Sequence, residues 1–490
     1  VFLMQEQKVY EPVIGLEVHV QLNTNSKMFC KCEIAPFDSA PNTYVCNICM
    51  GYPGTLPLIN NKAIEMVAKS GLALNGKINQ MTRFDRKNYH YPDLMKGYQI
   101  SQFKYPIVVG GEVSINTDQE KTITLNRIHL EEDTAKLTHV RKKSLIDINR
   151  SGTPLMEVVS EPEISNADEA RKYLQELHSI FTEIGVTKGN LEQGHFRCDA
   201  NISLRPKGSK TLGEKVEIKN MNSFRSVFRA INFEIERQAI ELNSDNKIIQ
   251  ETRGWNEAKG VTVSQRSKES AHDYRYFPDP DLPNIYINDN LLANLKSDIP
   301  ELKKDRVKYL TEEHSLNEQV IQLLASDNFL YEYFKTLYKS NQNQKNNFSD
   351  QELANWITEE ILKILDSNKI KTNEIKNSFK CEYVLELIEL TNSKTINRNS
   401  AREILASLIK TNKSPKSLMD DLGLAKISDS GELNDLCLQA INNNPDAVND
   451  YNSGKETAIK FLIGQVMKLS KGKADPNEAE LNILKILKNE

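Results

Sequence analysis

The stretch VIGLEVHVQL, residues 13–22, constrains the fold of this chain more than any other segment. Its apolar residues alternate with polar ones, which is typical of a β-strand with one buried face. The other face carries Glu17, His19 and Gln21. A carboxylate and an imidazole two residues apart on a strand project side by side, so they suit a shared metal ion. A solvated outer face explains the same pattern, and the later strands must decide between the two interpretations.

Later segments repeat this division of faces. Residues 144–149 and 197–205 alternate in the same way, with Asn149 and Asp199 among their polar residues. Another strand-like segment runs into three consecutive acids at 131–133, which repel one another, and a bound cation offsets that cost. A solvated sheet exterior would be richer in Lys and Thr than in Asp, Asn and His. The sequence therefore predicts one antiparallel sheet around a hydrated, acidic cavity.

Four of the seven cysteines form two close pairs, Cys30-x-Cys32 and Cys46-x-x-Cys49. Four thiolates with this spacing can close a tetrahedral zinc site on one small loop, about residues 30–49. A set of buried reduced thiols is the alternative, but the paired spacing among prolines and glycines favours zinc. Four protein ligands leave no open position, so we predict a structural site.

The composition bounds the class of protein. A chain of 490 residues predicts two to four domains. The net charge is -4, so a nucleic acid would have to be held by local basic patches rather than by the overall field. We find no apolar run of about 18 residues, and residues 1–4 are too short an apolar stretch for a signal peptide. Clustered cysteines suit a reducing compartment, and we expect a cytoplasmic protein.

We predict an α+β fold in three parts. Residues 1–298 form a mixed or antiparallel β-sheet cradle with helices and the zinc loop. Residues 299–413 form an all-α helical domain, because they show helical periodicity and no metal-like clusters. Residues 414–490 form a small helical tail that begins at Ser414-Pro415, a typical helix start.

Two segments rich in charged and aromatic residues are predicted to be loops. Residues 84–93 (FDRKNYHYPD) either bind a ligand or decorate the surface. In residues 273–281 (DYRYFPDPD), Arg275 stands between two tyrosines and can contact a nucleotide or an unpaired RNA end. A plain proline-stiffened loop is the alternative.

Several stretches between residues 10 and 285 resemble, in order and spacing, the GatB family. Its members are the B subunits of glutamine-dependent amidotransferases that convert mischarged Glu-tRNA(Gln) or Asp-tRNA(Asn). The residues after 414 resemble the YqeY-like tail of that family. The matching stretches are VIGLEVHVQL, FDRKNYHYPDLMKGYQISQ, RIHLEEDTAK, DINRSGTPLMEVVSEP, RCDANISLRP, EIKNMNSFRSV and DYRYFPDPDLP.

The resemblance implies a carbon–nitrogen ligase that takes its nitrogen from glutamine. In this family ATP phosphorylates the aminoacyl side chain before ammonia attacks, and such transfer depends on positioning and charge neutralisation. Strand alternation alone does not choose between Glu131 and Glu132, and histidine is an uncommon magnesium ligand. The resemblance implies Mg²⁺ at Glu17, His19, Glu132 and Asp199, substrate or ATP contacts at Asn149, Arg150 and Glu157, and an ammonia route at Lys87 and Lys96.

The sequence contains no arrangement typical of a glutaminase, since Cys198 lies outside any nucleophile elbow and no amidase-type Ser-Ser-Lys set is evident. The resemblance implies that ammonia comes from an amidase A subunit, which a small C subunit joins to the present chain. It also implies mischarged tRNA and ATP as partners, whereas zinc is found in only some members of the family.

Two rival classes remain open: a non-catalytic, zinc-containing tRNA-binding module and a metal-dependent hydrolase. The helical half offers cations for tRNA phosphates, although a solvated helical face explains them too. These cations are Lys394, Arg398, Arg402, Lys410, Lys413, Lys416 and the lysines between 455 and 473.

Overall fold

The computed structural model describes residues 9–117, 120–267, 273–344, 346–411, 413–424, 430–455, 457–470 and 474–488. Lys471 and Lys473 of the predicted tail therefore lie outside the described residues. The chain divides into two compact units, Val1–Pro300 and Glu301–Glu490. The first unit holds all the strands of the described chain.

The strands of the first unit are β1 (Tyr10–Gln21), β2 (Lys77–Ile78), β3 (Met81–Thr82), β4 (Asp85–Asn88), β5 (Tyr98–Ser101), β6 (Val108–Val109), β7 (Glu112–Asn116), β8 (Glu120–Glu132), β9 (Lys136–Val140), β10 (Lys143–Asp147), β11 (Pro154–Ser160), β12 (Phe196–Pro206), β13 (Val216–Met221), β14 (Glu251–Asn256), β15 (Val261–Ser267), β16 (Phe277–Pro278) and β17 (Ile285–Tyr286). Its helices are α1 (Asn61–Ala73), α2 (Ala167–Glu183), α3 (Phe224–Asn243) and α4 (Asp289–Ser297), with a 3-10 turn at Ile148–Arg150.

The main sheet has ten strands, in the order β15-β14-β13-β12-β1-β11-β8-β6-β2, with β7 paired to β8. Strand β1 lies at its centre and pairs antiparallel with β11 and β12. Only β13 and β14, among the described pairs, run parallel. This mixed sheet with helices, followed by a helical half, confirms the predicted α+β class.

The two faces of the sheet are chemically different. On one face of β1 the apolar residues Ile14, Val18 and Val20 are fully buried, at 0% exposure. On the neighbouring strand β12, Phe196 lies opposite Val20 and so points to the same face. Phe196 contacts His178 of α2 and Phe224 of α3, so these two helices cover the apolar face. The opposite face keeps the polar side chains of β1.

Two sequence predictions were wrong in detail. Residues 144–149 do not join the main sheet, because β10 pairs only with β9 in an exposed two-stranded hairpin and Asn149 lies in the 3-10 turn that follows. Within residues 84–93, predicted to be a loop, Asp85–Asn88 form strand β4, which pairs with β5 and β16. Backbone pairing on both sides outweighs the low strand propensity of these charged residues.

The helices of the second unit are α5 (Lys303–Glu313), α6 (Glu318–Ser326), α7 (Asn328–Asn343), α8 (Asp350–Asn355), α9 (Leu362–Ser367), α10 (Ile375–Ser378), α11 (Cys381–Asn392), α12 (Arg398–Leu408), α13 (Pro415–Asp421), α14 (Ser430–Asn442), α15 (Pro445–Asn452), α16 (Thr457–Leu469) and α17 (Pro476–Lys488). A π-helical segment, Trp356–Ile361, joins α8 to α9, and a 3-10 turn spans Thr372–Glu374. Among the described helices of the whole chain, none is both long and apolar enough to cross a membrane.

The second unit contains two separate apolar clusters. The first runs from Leu310 to Leu424 and includes Leu418 of α13, and the second begins at Leu433. Ser414 caps α13 by accepting a hydrogen bond from the backbone N–H of Ser417, at 3.3 Å. The helix start at Ser414 is therefore confirmed, but α13 packs with the preceding helices. A truncated chain that is to keep the first apolar cluster intact should therefore end after Leu424 and not before Ser414.

Candidate functional site

Three side chains converge on the polar face of the main sheet: His19, Glu131 and Glu157. The Nε2 atom of His19 lies 3.5 Å from Oε2 of Glu157 and 4.0 Å from Oε1 of Glu131. One ligand atom from each of the three lies within 4.8 Å of the other two. Two carboxylates and an imidazole at this separation can hold a divalent cation.

Strand register produces this convergence. His19 of β1 lies opposite Glu157 of β11, and Glu157 in turn lies opposite His129 of β8. Residues that are opposite in an antiparallel sheet share a face. Glu131 is two residues beyond His129, so it also points to this face.

His129 holds Glu157 from the side away from His19. Its Nε2 atom lies 3.5 Å from Oε2 of Glu157, and its Nδ1 accepts a hydrogen bond from Nε of Arg127, at 3.4 Å. Because an arginine Nε can only donate, the proton of neutral His129 is assigned to Nε2, where it faces Glu157. Burial lowers the pKa of His129, in agreement with a neutral ring.

Lys87 of β4 supplies a fixed positive charge beside the three converging residues. Its Nζ lies 3.8 Å from Oε2 of Glu131 and 5.0 Å from the ring centre of Tyr274. Burial of Lys87 opposes its charge, but Glu131, Tyr276 and Glu157 together outweigh burial, so the lysine pKa lies above its usual value. Oε2 of Glu131 is buried and accepts no hydrogen bond. A bound cation would satisfy this oxygen.

The electrostatics of the cluster favour a protonated His19 and an ionised Glu157. Burial of His19 disfavours its charge, but contacts with Glu157, then Asp199 and Glu131, raise its pKa to about 9. Burial of Glu157 also opposes ionisation, yet His129, His19 and Lys87 outweigh burial and lower the glutamate pKa. A divalent cation would compete with the proton on His19.

Glu17 and Asp199 share the polar face but do not converge with the other three residues. They lie opposite one another on β1 and β12. Glu17 accepts a hydrogen bond from Asn201 at 2.9 Å, and burial, followed by repulsion from other acids, raises its pKa. Asp199 is paired with Lys219, whose Nζ lies 2.5 Å from Oδ2. The ammonium of Lys219 therefore lies beside the carboxylate that the family resemblance assigned to a metal.

Glu132 points to the opposite side of β8. Its Oε1 lies 2.5 Å from Nζ of Lys96 and accepts a hydrogen bond from the backbone N–H of Ile100, at 2.9 Å. The structure thus separates Glu132 from His19 and brings Glu131 into the cluster instead. The reason is strand alternation: Glu132 continues the side of Ile128 and Leu130, which are fully buried.

Asn149 does not face the cluster. Its Oδ1 accepts a hydrogen bond from the backbone N–H of Tyr44 at 2.9 Å, and its Nδ2 donates to the carbonyl of Ala40 at 2.7 Å. The amide of Asn149 holds the cysteine loop, and its contact with ATP or substrate stays a prediction. Arg275 is exposed and has a left-handed φ of 40°.

Arg150 remains beside the polar face through a shared acid. Its Nε lies 3.2 Å from Oδ2 of Asp133, and Nη2 of Arg197 lies 3.0 Å from the same oxygen. Arg197 is directly opposite His19 on β12. Asp133 carries one negative charge and contacts two arginines. The three side chains together therefore leave one net positive charge next to the cluster of His19, Glu131 and Glu157.

The four predicted cysteines converge. Their sulfur atoms all lie within 4.8 Å of one another, and those of Cys46 and Cys49 are 4.0 Å apart. A tetrahedral zinc with Zn–S bonds of about 2.3 Å places its sulfurs roughly 3.8 Å apart, so the set fits. A hydrogen bond with Cys30 lowers the pKa of Cys49 to about 5, whereas burial raises the pKa of Cys32 to about 11.

Sequence reasoning missed His129, Arg197 and Lys219 as members of the site. The signal for His129 was available. Ile128 and Leu130 are apolar, so the residues that alternate with them along the strand, His129 among them, share the other face. The same alternation places Glu131 on the face of His129 and Glu132 on the other face, and the pairing of β8 with β11 then shows that the first face is the one that carries His19. Arg197 and Lys219 carried no such signal, because the partner of Arg197, Asp133, is distant in sequence and the partner of Lys219, Asp199, is on another strand.

The raised pKa of His19 predicts a pH dependence. In the metal-free protein the His19 ring should titrate near pH 9, as followed by NMR of labelled histidine. Folding then stabilises the protonated form, and this contribution is complete below about pH 6.5 and lost as the pH rises through 9. Glu157→Gln should lower the midpoint by about one unit or more, equivalent to roughly 1.4 kcal/mol. An unchanged His19 midpoint in the variant would contradict the contact.

Comparisons with known proteins give matches over nearly the whole chain. Residues 12–293 match the family described as the GatB/GatE catalytic domain, and residues 332–487 match the GatB domain family of the YqeY type. Similar proteins include three that are named as the B subunit of aspartyl/glutamyl-tRNA(Asn/Gln) amidotransferase. One, from Thermodesulfovibrio yellowstonii, is 46% identical over 98% of this chain and 99% of its own length. Those from Dehalococcoides mccartyi and Persephonella marina are 45% and 44% identical, over 96% and 98% of this chain and 97% and 100% of their own lengths.

Proposed function

The chain belongs to the GatB/GatE family of tRNA-dependent amidotransferase subunits, and on that premise we propose how its residues divide the reaction. The enzyme is a glutamine-dependent carbon–nitrogen ligase, and this chain carries its tRNA-dependent amidotransferase function. We propose that it phosphorylates the side-chain carboxylate of Glu-tRNA(Gln), Asp-tRNA(Asn) or both. Ammonia then displaces the phosphate and leaves the amide.

The convergence of His19, Glu131 and Glu157 is the observation that carries this assignment. The buried, unbonded Oε2 of Glu131 and the adjacent carboxylate of Glu157 fit Mg²⁺, which prefers carboxylate oxygens and retains several waters. Bound there, Mg²⁺ would neutralise phosphate charge. Glu17 and Asp199 belong to the same acidic face, and we propose that they contribute negative charge there without binding the metal directly.

The cations around the cluster are proposed to bind ATP phosphates and orient the substrate carboxylate. Arg150 and Arg197 share one acid and keep side-chain exposures of 41% and 34%, so their remaining N–H groups can reach a ligand. Phosphoryl transfer requires this kind of positioning and charge neutralisation more than covalent chemistry. The exposed Arg275 remains a weaker candidate for contact with the nucleotide.

The opposite side of β8 suits the passage of ammonia. Lys96, Glu132, Gln99 and Asp133 line a small cavity of about 10 Å³. That space is close to the minimum for one water molecule, and ammonia is of similar size. We propose that ammonia travels along this side, so Lys96 belongs to the route whereas Lys87, paired with Glu131, belongs to the phosphorylation site.

Partners and compartment follow from the same chemistry. The relatives are named as subunits, and we propose that this chain also assembles with an amidase A subunit that releases ammonia and a small C subunit. A reducing compartment such as the cytoplasm keeps the four cysteine thiols available for a metal. We propose one structural Zn²⁺ on Cys30, Cys32, Cys46 and Cys49.

We propose that the helices around the second apolar cluster, and α16 in particular, bind tRNA. Arg398 and Arg402, considered for phosphate contact, both pair with buried Glu360, at 3.0 and 2.6 Å. Lys413 and Lys455 pair with Asp421 and Asp450. Lys460 and Lys468, two turns apart on α16, are exposed and form no ion pair with any described residue, with exposed Phe461 between them. Such a basic and aromatic face suits an RNA backbone.

Adjacent acids on β8 give a matched test of the phosphorylation site. Glu131→Gln should reduce ATP-dependent phosphorylation of Glu-tRNA(Gln) by more than the roughly 100-fold typical of losing an outer-shell group. Glu132→Gln should keep phosphorylation within a few-fold but lower amidation driven by glutamine relative to amidation driven by added ammonium. The partner's glutaminase activity should persist in both variants. Near-normal phosphorylation by Glu131→Gln would favour the rival, a non-catalytic tRNA-binding module.

Metal analysis tests the zinc site. The purified protein should contain about one zinc per chain, and the double variant Cys46→Ser/Cys49→Ser should contain almost none. Chelation should lower thermal stability because structural zinc contributes directly to folding. Zinc-free wild-type protein, or a variant that keeps its zinc, would refute the assignment.

Charge reversal tests the tRNA-binding face. Lys460→Glu/Lys468→Glu should raise the KM for tRNA several-fold and leave the KM for ATP unchanged. The slope of log K for tRNA binding against log salt concentration should fall by the amount expected for the loss of about one to two phosphate contacts. Lys460→Arg/Lys468→Arg keeps the charge and should behave as wild type. A chain that ends at Leu424 gives the upper limit of the effect. If both the charge-reversed and the truncated proteins keep the wild-type KM for tRNA, recognition resides in the sheet unit.

A further inference from the structure

Lys27 is buried without a carboxylate partner. Its exposed fraction is 0%, and its Nζ forms no ion pair with any acid of the described chain. Lysine is almost never fully buried unless its charge is compensated. The two acceptors within reach are the sulfur of Cys49, at 3.6 Å, and the carbonyl oxygen of Ile148, at 3.3 Å.

The cysteine cluster can supply the missing negative charge. Four thiolates around one divalent ion carry a net charge of about −2. Cys49 already accepts a hydrogen bond from the backbone N–H of Cys46, at 3.2 Å, and the ammonium of Lys27 adds a charged donor to the same sulfur. Removing the lysine would leave a buried anion less compensated, which is costly.

The backbone around Lys27 is held on several sides, so the side chain is aimed rather than loosely packed. The N–H of Lys27 donates to the carbonyl of Cys32 at 2.9 Å, and the N–H of Met28 donates to the carbonyl of Gly152 at 2.6 Å. The side-chain Nδ2 of Asn60 donates to the carbonyl of Ser26 at 3.0 Å and to the carbonyl of Lys27 at 3.4 Å, which holds the same backbone from another side. The ammonium is therefore directed at Cys49 and Ile148 by fixed neighbours.

The second acceptor connects the metal loop to the polar face. Ile148 begins the 3-10 turn whose last residue is Arg150, and Arg150 reaches Asp133. Lys27 thus contacts Cys49 of the cysteine cluster and also the backbone of the turn that carries Arg150 to the polar face.

We propose that Lys27 is a positioning residue that compensates the charge of the four-cysteine metal centre and fixes that centre to the turn carrying Arg150. This inference rests on the zinc site proposed above. It assigns to Lys27 a donated hydrogen bond to the Cys49 thiolate that makes this sulfur a weaker electron donor and slows release of the metal.

The test compares four single variants of the full-length protein. Lys27→Met removes charge and donor at similar length, Lys27→Arg keeps both, and Lys27→Gln keeps a neutral donor. Lys31→Met makes the same chemical change on the exposed residue between Cys30 and Cys32. Each is measured for zinc content, for the rate of zinc transfer to a chelator, and for the sulfur-to-metal charge-transfer band after Co²⁺ substitution.

Lys27→Met should release zinc roughly 10–100-fold faster than wild type, as is typical when an outer-shell partner is lost. Its charge-transfer band should move to lower energy, because the sulfur becomes a better donor. Lys27→Arg and Lys31→Met should match wild type, and Lys27→Gln should lie between. If Lys27→Met does not yield folded protein, the Gln and Arg variants decide by the same two measurements.

Two outcomes separate this inference from the proposed metal site. Wild-type protein that contains no zinc and binds no Co²⁺ would overturn the metal site itself. Wild-type protein with zinc, together with unchanged release rate and unchanged Co²⁺ spectrum in Lys27→Met and Lys27→Gln, would overturn only the role of Lys27 and leave it as a packing residue.

Discussion

The charge of three consecutive acids at the end of β8, residues 131–133, is the constraint on which the site depends. Neighbouring residues on a strand point to opposite faces, so the carboxylates separate, and each needs its own cation to remain buried and ionised. Four segments distant in sequence provide these cations, and their ion pairs tie the segments to one strand end. The partners are Lys87 for Glu131, Lys96 for Glu132, and Arg150 with Arg197 for Asp133.

The same separation divides the chemistry between two sides of one strand. Glu131 joins His19 and Glu157 on the polar face, beside Lys87, where Mg²⁺ and phosphates are proposed to meet. Glu132 lies with Lys96 on the other side, next to a cavity suited to a water-sized molecule. A one-residue change of register would exchange the faces of Glu131 and Glu132, so the roles proposed for them depend on the alternation of this strand.

The cysteine loop and the helical half illustrate how pairing decides which charges are available. Asn149 and Lys27, both polar residues of the first unit, are committed to holding the cysteine loop. In the second unit, Glu360 binds two arginines that would otherwise suit phosphate, whereas Lys460 and Lys468 of α16 are exposed and form no ion pair with a described residue. A charge that is already neutralised inside the fold contributes packing and orientation, whereas an unpaired exposed charge can recruit a ligand.

The sequence by itself determined the alternating strand β1, the four-cysteine set, the α+β class and the family resemblance, because these depend on local periodicity, close spacing and ordered motifs. It left open the choice between Glu131 and Glu132, which the pairing of β8 with β11 decides in favour of Glu131. Only the tertiary structure decided that Asp199 is held by Lys219, that Asn149 serves the loop, and that Lys27 faces Cys49. These are contacts between separate segments of the chain, and sequence periodicity specifies the face of an element but not the partner that packs against it.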